Sequence, residues 1–261
     1  MSSTLDIRID GPVAHVWLNR PEVRNAFNDA TIAELTKTFL ALGHNPQLRA
    51  VVLGAHGKAF SAGADLNWMR AMADYTWEQN RDDAARLAEM LWTLYSCPLP
   101  VVGRLQGDCY AGGVGLAAVC DVLVAAEGVQ FCLSEAKLGL LPATISPYVI
   151  RAMGEQAARR YFITAERFSA AEAHRLGLVH EVCPAEVLDE RVDAIVAALV
   201  ANGPQAVKAC KRLVQDVAGQ PISAALREDT ARRIADIRAS DEGRAGVRSF
   251  LDKRSPPWVV S

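Results

Sequence analysis

Three short stretches of the chain combine residue types that can do chemistry. The first is Phe60-Ser61-Ala62-Gly63-Ala64-Asp65. Small residues let a ligand approach the backbone closely, and free N–H groups near a helix start attract negative charge. The alternative is a plain tight turn with Asp65 capping a helix. Ser61 is not the nucleophile of a G-x-S-x-G elbow, because position 59 is Ala59. The second stretch runs from Gly107 to Gly115. Gly112 and Gly113 leave bare backbone whose N–H groups can meet a developing oxyanion, aided by the dipole of a following helix. Close helix–sheet packing is the other use of such glycines. The third is Glu135, within Phe131-Cys132-Leu133-Ser134-Glu135-Ala136. A carboxylate in apolar surroundings has a raised pKa and suits proton transfer near neutrality. A surface or helix-capping glutamate is the alternative.

A rival pattern overlaps the second stretch. Gly113-Val114-Gly115-Leu116-Ala117-Ala118 fits G-x-G-x-x-A, and Glu135 lies twenty residues after Gly115. That is a dinucleotide fingerprint on paper. The helix there is short for a βαβ unit, and a second nucleotide-binding half is not visible. Trp68, Met69 and Met72 could line an acyl pocket, although such spacing also suits simple core. Asp108, Asp121 and Tyr148 are further polar groups near these segments, with Asp121 read as structural. Arg227, Arg232 and Arg233 suit a solvated helix face or a subunit contact, and Lys253-Arg254 is a small basic pair that could meet a phosphate.

The elements that must position these groups follow from periodicity. Residues 5–9 alternate apolar and polar, Asp10-Gly11-Pro12 is a turn signal, and 13–18 reads as the second arm of an antiparallel hairpin. Ile32, Leu35, Phe39 and Leu42 mark one helix face beginning near Asn28 or Asp29. Residues 50–55 form a buried strand, 57–64 a loop, and helices follow from about Leu66 and over 77–95. Pro98 and Pro100 stop the second of these. Strand 101–105, glycine-rich loop 107–113, a short helix over 114–119 and strands 122–125 and 130–132 come next. Helices begin near Ser146, and 177–182 reads as a last strand. Beyond it come helices over 185–200, 204–218, 222–239 and 241–252. The fold class is therefore α/β with a helical C-terminal segment. The division falls at Asn202-Gly203-Pro204, giving a core over 1–201 and a helical region over 202–261.

Composition bounds the function. The 261 residues carry 28 Lys and Arg against 30 Asp and Glu, for a net charge of −2. No basic excess supports broad nucleic-acid or membrane-surface binding, so any anion is bound locally. No apolar run approaches a membrane span, and the N-terminus lacks a signal-peptide pattern. The six cysteines form no C-x-x-C pair and read as reduced thiols of a cytoplasmic protein. The five histidines lack ligand spacing, so no metal is expected.

The order of motifs resembles one family along essentially the whole chain: the crotonase, or enoyl-CoA hydratase/isomerase, family. The resemblance rests on Leu18-Asn19-Arg20-Pro21 with Asn25-Ala26-Phe27, then 59–66, then Pro98-Leu99-Pro100-Val101-Val102 leading to Gly107 and Ala111-Gly112-Gly113. Cys120-Asp121, 131–142, 167–173 and Gly177-Leu178-Val179 complete it. It implies a spiral of ββα units with a helical C-terminal trimerisation region, as a homotrimer or homohexamer. It also implies an acyl-CoA thioester substrate, with no separate cofactor because coenzyme A enters as part of that substrate. By motif, the N–H groups of Ala64 and Gly112 would form an oxyanion hole. Ala62, Ala64 and Leu66 would contact the adenine end of coenzyme A, and Arg24 and Lys253 would contact its pantetheine or phosphate parts. Glu135 matches one of two glutamates of the hydratases, and the other falls at Gly115. Family members acting as double-bond isomerases work with a single base, and a non-catalytic acyl-CoA binder is a third alternative.

A narrower likeness lies in Asp65-Leu66-Asn67-Trp68-Met69, 132–135 and Pro142-Ala143-Thr144-Ile145-Ser146-Pro147-Tyr148. These are similar to hydratases of 3-methylglutaconyl-CoA and carboxygeranoyl-CoA, of leucine and acyclic terpene breakdown. The reading that follows is hydration of a branched 2-enoyl-CoA at Glu135.

Overall fold

The structure, a computed structural model, describes residues 3–259. Met1 and Ser2, part of the N-terminal stretch read above, lie outside the described residues. Strands β1 (Leu5–Asp10) and β2 (Val13–Leu18) form the expected antiparallel hairpin, with Leu5 opposite Leu18 and Asp10 opposite Val13. Gly11 turns it at φ +53°, a left-handed conformation that glycine adopts without a Cβ penalty. Helix α1 (Asp29–Gly43) starts at Asn28, whose side chain accepts from the Thr31 N–H at 3.0 Å. Its buried face is Ile32, Leu35, Phe39 and Leu42, as the spacing predicts.

From β3 onward the chain repeats one motif. A strand joins a first sheet, a three-residue strand joins a second sheet, and a helix follows. The first turn is β3 (Ala50–Ala55), β4 (Ala59–Ser61), α2 (Leu66–Ala73) and α3 (Trp77–Tyr95). The second is β5 (Val101–Leu105), β6 (Asp108–Tyr110) and α4 (Gly112–Ala118). The third is β7 (Val122–Ala126), β8 (Gln130–Cys132), a 3-10 turn over Glu135–Leu138, α5 (Ser146–Met153) and α6 (Glu155–Thr164). Strand β9 (Arg167–Ser169), α7 (Ala170–Arg175), β10 (Glu181–Cys183), α8 (Leu188–Ala201), α9 (Pro204–Val217), α10 (Ala224–Ala239) and α11 (Asp241–Leu251) complete the order. The first sheet runs β1-β2-β3-β5-β7-β10 and the second β4-β6-β8-β9. This is the ββα spiral implied by the family resemblance. Every residue of β3 is buried, which explains its unbroken apolar run: parallel strands covered on both faces need no alternation.

The short strands depart from the sequence reading. The 57–64 loop contains β4, the 107–113 loop contains β6, and β9 pairs antiparallel to β8 without having been anticipated. Three residues are too few to display a period. Of the expected 177–182 strand only Glu181 and Val182 pair with β7, joined by Cys183 beyond it, while Leu178 and Val179 are simply buried. Five cysteines are buried and Cys210 is exposed, all free. Among the described residues no helix is long and apolar enough to cross a membrane.

One ion pair ties the C-terminal helices to the core. Lys211 of α9, 8% exposed, donates to Asp121 at 2.7 Å and to the Leu99 carbonyl at 3.0 Å. Asp121 also accepts from the Val101 N–H at 2.7 Å, so it holds the start of β5. Burial raises the Asp121 carboxyl above its ordinary value, and Lys211 opposes that rise. Lys211→Met leaves this carboxylate without its cation. The expected loss is about 2–4 kcal/mol in urea unfolding, and the double variant Asp121→Asn/Lys211→Met should lose less than the single one.

Candidate active site

The parallel pairing of β4, β6 and β8 sets the geometry. Ser61 is level with Cys109, which is level with Phe131. The residues just past these strand ends therefore stand side by side, about 4.8 Å apart from strand to strand. They include Ala64 after β4, Gly112 after β6 and Glu135 after β8. The first two turns touch: a Cβ placed on Gly63 would lie 3.0 Å from Ala111 Cβ and 3.6 Å from Gly112 N.

Both turns present an N–H that the fold leaves unused. The Phe27 N–H donates to the Gly63 carbonyl at 2.6 Å, and the Asp65 N–H donates to the Phe27 carbonyl at 2.8 Å. This bridge engages the residues on each side of Ala64 and leaves the Ala64 N–H on the opposite edge. Ala111 sits at φ 48°, ψ −119°, a strained backbone for a residue with a Cβ. It is held there by its N–H to the Cys132 carbonyl at 2.8 Å and by the Val114 N–H to its own carbonyl at 2.9 Å. The peptide so turned places the Gly112 N–H at the start of α4. Among the described residues neither the Ala64 nor the Gly112 N–H has an acceptor. Ala62, Ala64 and Gly112 are partly exposed, while Ser61, Gly63 and Gly113 are buried. Gly113 serves packing, since a Cβ there would lie 2.7 Å from the Ser61 carbonyl oxygen.

A buried polar cluster pins the first turn. Arg20 donates to the Ala26 carbonyl at 2.7 Å and to Asp65 at 2.8 Å. Asp65 also accepts from the Asn67 N–H at 2.8 Å and so caps α2. Asn25, 2% exposed and at φ 54°, donates to the His56 and Ala59 carbonyls and accepts from the Arg20 N–H. Burial pulls the Asp65 carboxyl upward, but the hydrogen bonds from Arg20 and Asn67 outweigh it and hold it below its ordinary value.

Glu135 begins the 3-10 turn after β8 and is half-buried. Its Oε2 is fully covered and has no hydrogen-bond partner. Burial raises its pKa, the state in which a carboxylate is a stronger base. At Gly115 a Cβ would lie 2.6 Å from Ile145 Cβ and run into Ile145 Cγ2. Ile145 therefore fills the place of any side chain at 115. Helix α4 (Gly112–Ala118) is too short for the helix of a dinucleotide unit, and Glu135 follows another strand.

A separate pocket of about 240 Å³ opens beside β4 and β6, lined by Arg24, Lys58, Ala59, Ala62, Asp108 and Tyr110. Arg24 and Lys58 have no ion-pair partner among the described residues. Asp108 is engaged by the Tyr110 hydroxyl at 2.8 Å and the Gln130 N–H at 3.1 Å. Leu66 is 69% exposed at the start of α2. Lys253 follows α11, and the structure does not bring it to this pocket within the same chain, while Arg254 pairs with Asp252. Trp68 is core, with its indole N–H on Asp83 at 3.3 Å. Lys58, Tyr110 and Ile145 had no chemical role in the sequence reading. The basic side chain of Lys58 beside the 59–65 stretch was a usable signal; nothing local marked Tyr110 or Ile145.

Residues 8–260 match the family described as Enoyl-CoA hydratase/isomerase. A putative enoyl-CoA hydratase of Thermus thermophilus is 34% identical over 246 residues, covering 94% of this chain and 97% of that protein. The crystal structure of an enoyl-CoA hydratase from Shewanella pealeana superposes with a TM-score of 0.95 at 42% identity, over 98% of this chain and 96% of that one. A putative enoyl-CoA hydratase/isomerase (crotonase) from Legionella pneumophila superposes with a TM-score of 0.93 at 41% identity, over 98% and 99% of the two chains.

Asp65 holds the turn that carries Ala64, and its lowered pKa fixes the sign of a pH effect. Its contribution to stability is present above the unfolded value near 3.8 and is lost as pH falls through the lower folded value. Asp65→Asn is expected to remove that acid-limb slope and to cost about 1–3 kcal/mol at pH 7, read by urea unfolding against pH.

Proposed function

Because the chain belongs to the enoyl-CoA hydratase/isomerase family, we propose that it hydrates a branched 2-enoyl-CoA of the 3-methylglutaconyl-CoA or carboxygeranoyl-CoA type, in leucine or terpene breakdown. One observation carries the reading: the covered, unpartnered Glu135 Oε2 stands at a strand end beside the two that present the unused Ala64 and Gly112 N–H groups. The thioester oxygen accepts from those two donors. They stabilise the enolate more than the ground state, and each such donor is worth about 2.7–4 kcal/mol of barrier. Glu135 takes a proton from water as the hydroxyl bonds to Cβ, and then delivers that proton to Cα. The water O–H bond and the Cα–Cβ π bond break, and one C–O and one C–H bond form.

Coenzyme A, part of the substrate, takes its phosphates to Arg24 and Lys58 and its adenine end to Ala62, Ala64 and Leu66. A phosphate contact from Lys253 would come from another copy in a homotrimer or homohexamer. Phe250 and Leu251, 80% and 70% exposed on α11, support such an assembly. The buried free thiols suit a reducing, cytoplasmic setting. A second reading is favoured by Gly115 and Ile145: with no carboxylate possible there, Glu135 alone could shuttle a proton and move a 3-enoyl bond to the 2-position.

Oxygen from labelled water in the product of a 2-enoyl-CoA decides for hydration, and conversion of 3-enoyl-CoA without label decides for isomerisation. Glu135→Gln is expected to lower kcat by about 10²-fold or more. The wild-type acid limb of kcat/KM should lie above the ordinary glutamate value of 4.5. Since a raised folded pKa means that ionised Glu135 costs stability as pH rises through it, the Gln variant should melt no lower than wild type at pH 7. Arg24→Ala and Lys58→Ala should each raise KM about tenfold with little change in kcat, and the effect should shrink with salt.

A further inference from the structure

A cavity of about 820 Å³ lies between the C-terminal end of α4, α5, the 177–180 segment, α8 and α9. It is separate from the acyl-CoA site proposed above. None of Arg24, Lys58, Ala64, Gly112 or Glu135 lines it, and Ala118, which does, lies about 9 Å along α4 from Gly112. Its walls are largely aliphatic, with Leu123 and Leu178 from the core and Leu199, Val207 and Val214 from α8 and α9. Concave apolar space of this size with a few convergent polar groups is the usual form of a small-molecule site.

The charged side chains in the lining are Asp121, Arg151 and Lys211. Asp121 and Lys211 cancel, since they pair at 2.7 Å. Arg151 has no ion-pair partner among the described residues. A smaller neighbouring cavity of about 330 Å³ shares Arg151, Tyr95 and Tyr148 with the larger one, and there too Arg212 and Asp216 pair with each other, at 2.9 Å. Arg151 is thus the uncompensated charge at the junction of the two. His180 adds none. Its Nδ1 accepts from the Leu123 N–H at 3.0 Å, and burial holds its pKa below the ordinary value, so the ring is neutral with its proton on Nε2. Tyr148 stands one turn before Arg151 on α5, and its ring packs on that of Tyr95 at 5.2 Å between centroids. Burial raises the Tyr148 pKa, so its hydroxyl stays protonated, and neither tyrosine hydroxyl has a hydrogen-bond partner among the described residues.

We infer that this cavity is a second binding site, for an apolar monocarboxylate: a free aliphatic acid of medium length, with its carboxylate on the Arg151 guanidinium and the Tyr148 hydroxyl and its chain along the Leu178, Leu199 and Val207 wall. One unpaired guanidinium matches one negative charge and forms the strong, charge-assisted hydrogen bonds that a carboxylate accepts. It is too little for a polyanion, so the cavity is not a second coenzyme A site. The aliphatic wall selects for a hydrocarbon body and against small polar acids. The inference does not depend on which acyl-CoA chemistry the other site performs.

The test is titration calorimetry of the full chain with octanoate, with 1-octanol as the uncharged match and acetate as the match without a chain. Wild type is expected to bind octanoate about tenfold or more tighter than octanol, and to bind acetate more weakly still. Arg151→Ala should bring octanoate down to the affinity of octanol, and Arg151→Lys should restore part of the difference. Val214→Asp, at a position 67% exposed, sets a negative charge in the lining and should weaken octanoate more than octanol. Glu135→Gln and saturating butyryl-CoA should leave octanoate binding unchanged. No measurable octanoate binding by wild type overturns the inference, as does an equal affinity for octanol or an Arg151→Ala variant that binds octanoate like wild type. Displacement of octanoate by butyryl-CoA also overturns it, because the acid then sits in the acyl-CoA site. If wild type turns over no enoyl-CoA, the hydratase reading falls, and the octanoate titrations still judge the cavity.

Discussion

The structure depends on keeping three very short parallel strands level. β4, β6 and β8 have three residues each, yet their ends carry the Ala64 turn, the Gly112 turn and Glu135. Strands of that length cannot hold register through their own hydrogen bonds. Register comes from the longer strands β3, β5 and β7, which precede them in each turn of the spiral and pair in the buried first sheet. It is then locked by local fits that tolerate no side chain. A Cβ at Gly107 would run into the Lys58 carbonyl, and one at Gly113 into Ser61.

The site concentrates the unfavourable terms that the rest of the fold sustains. Ala111 occupies a strained backbone, two N–H groups lack acceptors, and a covered carboxylate oxygen has no partner. Such groups cost stability in the empty protein. They are held by a polar cluster in which every member is engaged, from Arg20 through Asp65 to Asn25. The contrast is between a fully satisfied support and an unsatisfied site, and any ligand oxygen placed there would supply the missing acceptor. The near-neutral chain carries no basic excess, and Arg24 and Lys58 are a local basic pair lining the small pocket beside β4 and β6.

Local pattern alone specified much of the fold. The α1 face and the 77–95 helix follow from period, and the 50–55 and 101–105 strands from unbroken apolar runs bounded by proline and glycine. Gly112 and Gly113 were indistinguishable as letters. The family motif singles out Gly112, and the packed structure supplies the physical difference: the Gly112 N–H is unused, whereas Gly113 is pressed on Ser61. Lys253 looked equivalent to Arg24 as an exposed cation, and the chain path puts the two apart.

The sequence by itself determined the longer strands and helices, the family motifs and the residue types on which the proposed site rests. Those depend on side-chain chemistry and short-range spacing, which can be read along the chain. Tertiary structure decided which groups meet. That Phe27 leaves the Ala64 N–H unused, that the Glu135 Oε2 is covered and unpartnered, and that Ile145 fills the space at Gly115 depend on segments up to dozens of residues apart. Such contacts are set by the pairing of parallel strands and the burial it imposes, which no local pattern encodes.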